Sequence, residues 1–259
     1  MIFRDIGMAT ASLVGSLETK LAAVRSAGFS QVMIAATDVV SHPGGTAAGV
    51  RAVRASGLEV TGVEALRDFE GLERQLHAYK VDVAKAMLEI CADLGGRLLL
   101  VEASTSKHAS ADPAAIARDL AKLAVLAVPL GIRVAYKGHP WSRTARDFRQ
   151  AADIVLRASV PNLGVAVDAF DVLASGVPLD DLDILDPDQT FLVQVSDYMW
   201  QEVRSAEEQA VTATHFRVFP GEGAHSEALA EFICFSAQGV IGERFEGRLE
   251  RVDLIDHGD

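Results

Sequence analysis

Six polar residues each stand at or near the end of a short apolar run. They are Glu64 after Val60-Thr61-Gly62-Val63, Glu102 after Leu98-Leu99-Leu100-Val101, Lys137 after Val134-Ala135-Tyr136, Asp168 after Val165-Ala166-Val167, Gln194 after Leu192-Val193, and Asp253 in a last β-rich stretch over 249–255. Burying such groups is costly unless they have partners or a task. Singly, each is as readily a solvated loop residue; collectively they describe a site. Carboxylates and an amide are hard oxygen donors that suit Mg²⁺ or Mn²⁺ rather than a thiolate-bound metal. Lys137 does not share that chemistry, because a charged ammonium has three donors and no lone pair. His139, two residues further on, has an unperturbed pKa of about 6.5, in range for moving a proton beside a carbonyl. Its other reading is a loop histidine before Pro140, packed beside Trp141. Arg67 and Arg217 can each hold a substrate carboxylate or phosphate through paired N–H donors, or can serve as surface ion pairs. Gly221-Glu222-Gly223 is a tight turn, and a glycine pair this short is weak evidence for phosphate.

The elements that must position these residues follow a repeated phrase: an amphipathic helical stretch, a glycine, then a β-rich run. Gly28, Gly57, Gly95-Gly96, Gly131 and Gly164 each precede such a run. Helix, glycine cap and buried strand is the pattern of βα repeats. Strands are predicted near Arg4 to Met8, then over Gln31 to Ala36, Glu59 to Glu64, Arg97 to Glu102, Ile132 to Lys137, Val165 to Asp168 and Thr190 to Ser196, with a last one near Leu249 to Ile255. The runs 98–101 and 165–167 lack polar–apolar alternation, as expected of parallel strands covered on both faces. Helices are predicted from a Ser16 cap to about Ala27, over Val81 to Leu94, after Asp112-Pro113, and over Arg146 to Ala158. Eight strands alternating with helices in about 250 residues is the arithmetic of an α/β (β/α)₈ TIM barrel, whose chemistry lies at the C-terminal ends of its strands. A doubly wound open sheet is the competitor, but no G-x-G-x-x-G follows the first strand. Residues 1–259 read as a single barrel domain. Only His257-Gly258-Asp259 follow Asp256, so the final helix is expected to be missing and that edge covered by neighbouring elements or by another subunit.

Composition narrows the partners. Hydrophobic residues make up 49% and charged residues 23%, a globular balance that excludes a disordered chain. The net charge of −12 repels a phosphate backbone, so neither nucleic acid nor an anionic membrane is an expected partner. The most apolar helical run, Leu123 to Val128, is stopped by Pro129 and Gly131, far short of the roughly 20 residues of a span. Cys91 and Cys234 alone make no disulfide framework, and Met1 to Asp5 show no signal-peptide pattern. The expectation is a cytoplasmic protein in a reducing compartment.

Four segments in order, 135–141 (Ala-Tyr-Lys-Gly-His-Pro-Trp), 162–170 (Asn-Leu-Gly-Val-Ala-Val-Asp-Ala-Phe), 191–197 (Phe-Leu-Val-Gln-Val-Ser-Asp) and 217–223 (Arg-Val-Phe-Pro-Gly-Glu-Gly), resemble the sugar phosphate isomerase/epimerase superfamily, the xylose isomerase-like barrels. Leu66 to Gly71 and Arg217 to Gly223 look most like the 3-dehydroshikimate dehydratase branch. The resemblance implies a divalent metal (Mg²⁺, Mn²⁺ or Co²⁺) held from the ends of strands five to eight, here by Asp168, Gln194 and Asp253, the last in place of a glutamate. It also places His139 two residues after the first metal-binding glutamate and implies assembly into homo-oligomers. Two positions depart from it. Lys137 stands where that glutamate is expected, and Asp171 stands where the dehydratase branch has a second histidine.

The first departure changes the electrostatics. Three carboxylates and an amide offer a dication about three negative charges, whereas Lys137, Asp168, Gln194 and Asp253 offer about one. A unit charge about 4 Å away interacts by about 4 kcal/mol at an effective dielectric of 20, and the repulsion of a dication is twice that. The charge balance therefore opposes a metal of this type. The ammonium could instead take the metal's electrostatic role, or remain as a salt bridge in a site that has lost catalysis. The expected function is a lyase or isomerase of a small anionic or polyhydroxylated keto compound. His139 and Lys137 would act on its carbonyl, and Arg67, Arg217 and Trp141 would bind it. One alternative is a Schiff base formed by Lys137; another is a non-catalytic barrel that binds a ligand or partner.

Overall fold

The structure is a computed structural model that describes residues 3–200 and 202–235. Its elements in chain order are β1 (Phe3–Ala9), α1 (Leu17–Ser26), β2 (Phe29–Ala35), α2 (Ala36–Val40), α3 (Thr46–Ala55), β3 (Glu59–Arg67), α4 (Arg74–Leu94), β4 (Leu98–Glu102) and α5 (Pro113–Ala127). They continue with β5 (Arg133–Lys137), α6 (Phe148–Ala158), β6 (Leu163–Asp168), α7 (Ala169–Ser175), β7 (Thr190–Gln194), β8 (Asp197–Tyr198), α8 (Ala206–His215), β9 (Arg217–Val218) and α9 (Ser226–Phe235). Strands β1 to β7 form one parallel sheet in sequential order. Sequential parallel order is what βα units produce when each strand is laid beside the last. The described residues thus make a TIM barrel that lacks its final part. The eighth strand expected at 249–255, and Asp253 with it, lie outside the described residues.

The predicted helix starts are made by the predicted residues. The Ser16 side chain accepts from the Thr19 N–H, and Asp112 accepts from the Ala114 N–H with Pro113 in the first turn. Helix α4 begins at Arg74, seven residues before the expected Val81; Leu76 and Tyr79 are exposed in its first turns, so no buried apolar stripe marks them in the sequence. Helix α6 begins at Phe148 rather than Arg146, since Asp147 is its cap. Strand β3 runs on to Arg67, three residues past Glu64, and β7 stops at Gln194 rather than Ser196.

Two apolar layers hold the sheet. A large cluster between strands and helices includes Val63, Leu99, Val101, Val134, Tyr136, Val165 and Val167. A smaller one, inside the curl of the sheet, is Met33, Leu98, Leu100, Ala135 and Ala166. Successive strand residues point to opposite faces. On β4, β5 and β6 the two clusters therefore sort odd from even positions, which fixes the face that each strand end presents. Among the described residues no helix is long and apolar enough to cross a membrane.

Candidate functional site

Continuing the inner-face alternation one step puts Glu102 after Leu98 and Leu100, Lys137 after Ala135, Asp168 after Ala166, and Gln194 after Leu192 on the inside of the sheet, at its C-terminal rim. Register brings them level: Glu102 is opposite Lys137, and Asp168 opposite Gln194. Lys137 lies at the centre. Its Nζ donates to Asp168 Oδ2 (3.3 Å) and Gln194 Oε1 (3.1 Å) and pairs with Glu102 Oε1 at 3.2 Å. Asp168 faces two ways, since Oδ1 caps α7 by accepting from the Phe170 N–H while Oδ2 also receives Arg217 Nη1 at 2.7 Å. Gln194 is held from both ends, its Nε2 donating to Glu64 Oε2.

The arginines come from outside this ring. Arg67 ends β3 and donates its Nε to Glu102 Oε2. Arg217 lies on β9, which pairs antiparallel with β8 immediately after β7, and its guanidinium covers the Phe170 ring at 4.5 Å. Buried Asp197 anchors the loop that follows, accepting from the N–H groups of Gly223 and His225 and from Ser226 Oγ. A Cβ on Gly223 would overlap the Asp197 carboxylate, so the close approach needs glycine. His139 is buried on the β5–α6 connection and stacks on Trp141 at 4.4 Å, and its Nδ1 has no hydrogen-bond partner among the described residues. Asp171, in the first turn of α7, is buried with neither carboxylate oxygen hydrogen-bonded; Arg217 Nη2 is 4.0 Å away.

Charge and burial compete here. Burial alone would raise the Glu102 pKa, but the Lys137 and Arg67 cations outweigh it and hold it at about 2. Burial also works against ionised Asp168, and Arg217 and Lys137 overcome it, keeping the pKa low. For Lys137, burial would favour the neutral amine, but Glu102 and Asp168 more than offset it, and the pKa rises. A Schiff base needs that amine unprotonated, so this arrangement works against the Lys137 covalent alternative. Burial, then the Lys137 charge, pushes His139 down to about 4, well below the ordinary value assumed from sequence. The imidazole is therefore neutral at pH 7. Asp171 moves the other way: burial, then the Asp168 charge, lifts it well above the usual carboxylate range. Glu64 is raised as well, chiefly by burial.

A family model for the xylose isomerase-like TIM barrel matches residues 21–245. The chain belongs to the xylose isomerase-like TIM barrel family. Among curated relatives of this barrel, a 3-dehydroshikimate dehydratase of Pseudomonas aeruginosa is 33% identical over 258 residues, covering 96% of this chain and 40% of that protein. This chain thus spans less than half the length of that relative. An inosose isomerase of Bacillus licheniformis is 28% identical over 167 residues, 62% of this chain and 58% of the relative. Among solved structures, a xylose isomerase-like TIM barrel/4-hydroxyphenylpyruvate dioxygenase fusion protein superposes with a TM-score of 0.80 at 29% identity, over 90% of this chain and 37% of the other. The IOLI protein with a bound zinc atom shares the fold at a TM-score of 0.67 and 21% identity, over 88% of this chain and 85% of that one.

The metal implied by resemblance to these barrels does not fit the described side chains. Among them no group of three or more His, Cys, Asp or Glu is arranged to hold an ion, and the Lys137 ammonium sits among the oxygens that would ligate one. Of the residues expected at the site, Lys137, Asp168, Gln194 and Arg217 come together directly, Arg67 joins through Glu102, and His139 and Trp141 form the adjoining wall. Sequence reasoning marked Glu102 as a strand end but missed that it partners Lys137. Its place level with Lys137 in adjacent strands was the available signal. The platform that Phe170 gives Arg217 carried no signal at all.

Proposed function

We propose that this barrel is a lyase or isomerase domain that moves a proton next to the carbonyl of a small polyhydroxylated keto acid, in the manner named for its dehydratase relatives. The observation that carries this reading is a buried imidazole, His139, stacked on Trp141 two residues beyond Lys137 at the rim, where burial and the Lys137 charge favour its neutral form. The relatives named dehydratase and inosose isomerase support the substrate class, since both names denote polyhydroxylated ring ketones. His139 takes the proton from the carbon α to the carbonyl, and the C–H electron pair moves into an enolate. The positive potential of Lys137 and Arg217 stabilises the negative oxygen. Collapse of the enolate expels a β-hydroxyl, which leaves as water with the proton that His139 took up; in an α-hydroxy ketone, His139 instead returns that proton to the former carbonyl carbon while the α-hydroxyl proton passes to the former carbonyl oxygen, giving the isomeric ketone. Arg67, the most exposed of the three cations, meets the substrate carboxylate at the mouth.

Incubation with 3-dehydroshikimate tests the lyase form, because loss of water and enolisation produce an aromatic ring with new ultraviolet absorbance. Wild-type protein is expected to produce it, and His139→Gln to be slower by about 100-fold or more. Absence of turnover with this substrate and with inososes overturns the proposal. One observation favours a second reading, a binding barrel without catalysis: each of the three cations already touches a carboxylate. Saturable binding of these compounds without turnover supports that reading.

A further inference from the structure

The side-chain oxygens of Glu102, Asp168 and Gln194 are already taken. Glu102 gives Oε1 to Lys137 and Oε2 to Arg67. Asp168 gives Oδ1 to the Phe170 N–H and Oδ2 to both Arg217 and Lys137. Gln194 gives Oε1 to Lys137 and is turned that way by its own bond to Glu64. The three cations thus hold Glu102 and Asp168, with Asp171 4.0 Å from Arg217 Nη2, and Lys137, 6% exposed, is enclosed by the other side chains. A dication could enter only by breaking these contacts and adding two positive charges at contact distance from the buried Lys137 ammonium.

We infer that the Lys137 ammonium is the resident cation of this barrel, standing between Glu102, Asp168 and Gln194 where a divalent metal would stand, and that this site needs no metal. A tethered ammonium performs the structural part of a metal's work: it draws the ends of β4, β6 and β7 towards one point and neutralises their carboxylates. It differs in being covalently fixed, singly charged and indifferent to chelators. The inference does not rest on the dehydratase reading, since it concerns which cation the rim holds, whatever the rim acts on.

The test is a Mn²⁺ titration of the chelator-treated full chain, followed by the electron paramagnetic resonance of free Mn²⁺, which is lost on binding. Wild-type protein is expected to bind no stoichiometric Mn²⁺. Lys137→Glu is expected to bind one ion per chain, at least about 100-fold more tightly, because the rim changes by two charge units at contact distance. That binding should vanish again in the Lys137→Glu, Asp168→Asn double variant. Stoichiometric binding by the wild type that Asp168→Asn abolishes overturns the inference. A folded Lys137→Glu that binds no ion overturns it equally. Should that variant fail to fold, Lys137→Gln, which removes only the charge, is expected to bind Mn²⁺ at least about 10-fold more tightly than wild type; unchanged affinity in a folded Lys137→Gln removes Lys137 from the cation's place.

Discussion

His139 shows how a single residue is retuned by its surroundings. In water the imidazole would be partly charged near pH 6.5, but burial and the Lys137 ammonium lower its pKa to about 4. A folded-state pKa below the unfolded value means that the native state resists a proton the unfolded chain accepts. Stability is therefore full above about pH 6.5 and is lost as the pH falls towards 4. The loss attributable to this residue is on the order of 3 kcal/mol. Urea unfolding of wild type and His139→Gln at several pH values between 7 and 4 checks this. The variant should lose less stability across that window, and parallel curves would show that His139 is not held neutral. Glu102 also loses its contribution in acid, but at lower pH, below the unfolded carboxylate value and towards its folded value of about 2. The two effects therefore separate along the pH axis.

At the scale of elements, the chemistry depends on short connections leaving the strand ends. Between Lys137 and His139 the chain passes so close to the start of α6 that a Cβ on Gly138 would overlap the Asp147 carbonyl oxygen. His139 N–H donates to the Ala145 carbonyl across the same loop, and Asp147 then caps α6 through the Gln150 N–H. Gly138 therefore lets one glycine-sized gap set both the imidazole and the helix. Gly138→Ala is expected to destabilise the protein by about 1–3 kcal/mol, because the clash is with backbone that cannot turn aside. Thermal unfolding measures the cost. A change under about 0.5 kcal/mol would mean that the loop gives way and does not fix His139. Asp168 couples elements in the same manner, capping α7 with one oxygen and meeting Arg217 of β9 with the other.

Across the whole molecule, charge is distributed unevenly. The chain carries a net charge of −12, and at the rim of the barrel Lys137, Arg67 and Arg217 gather among Glu64, Glu102, Asp168 and Asp171. Under the proposed function a small anion is drawn to these cations, whereas a long polyanion meets the negative exterior first. The chain is expected not to retard a labelled DNA duplex at physiological salt. A shift at protein concentrations below about 1 μM would reveal a basic surface that the sequence total conceals.

Much of this was legible because it depends on local chemistry. The glycine-punctuated phrases, the Ser16 and Asp112 caps and the apolar runs specify seven strands in order, and the strand ends single out Lys137, Asp168 and Gln194. Alternation along each strand is a property of the backbone, so the inward face follows from the pattern. Other features needed three dimensions. Glu102 meets Lys137 and Arg67, and Arg217 meets Asp168, only because register sets adjacent strands level and because β9 pairs back onto β8. The direction of the His139 and Asp171 pKa values follows from burial and from charges that lie far away in sequence. The sequence by itself determined which groups stand at the rim and that a lysine stands among them. The tertiary structure alone decided that this lysine is enclosed and fully charged between Glu102, Asp168 and Gln194, because desolvation and Coulomb energy depend on distances between strands that no spacing along the chain specifies.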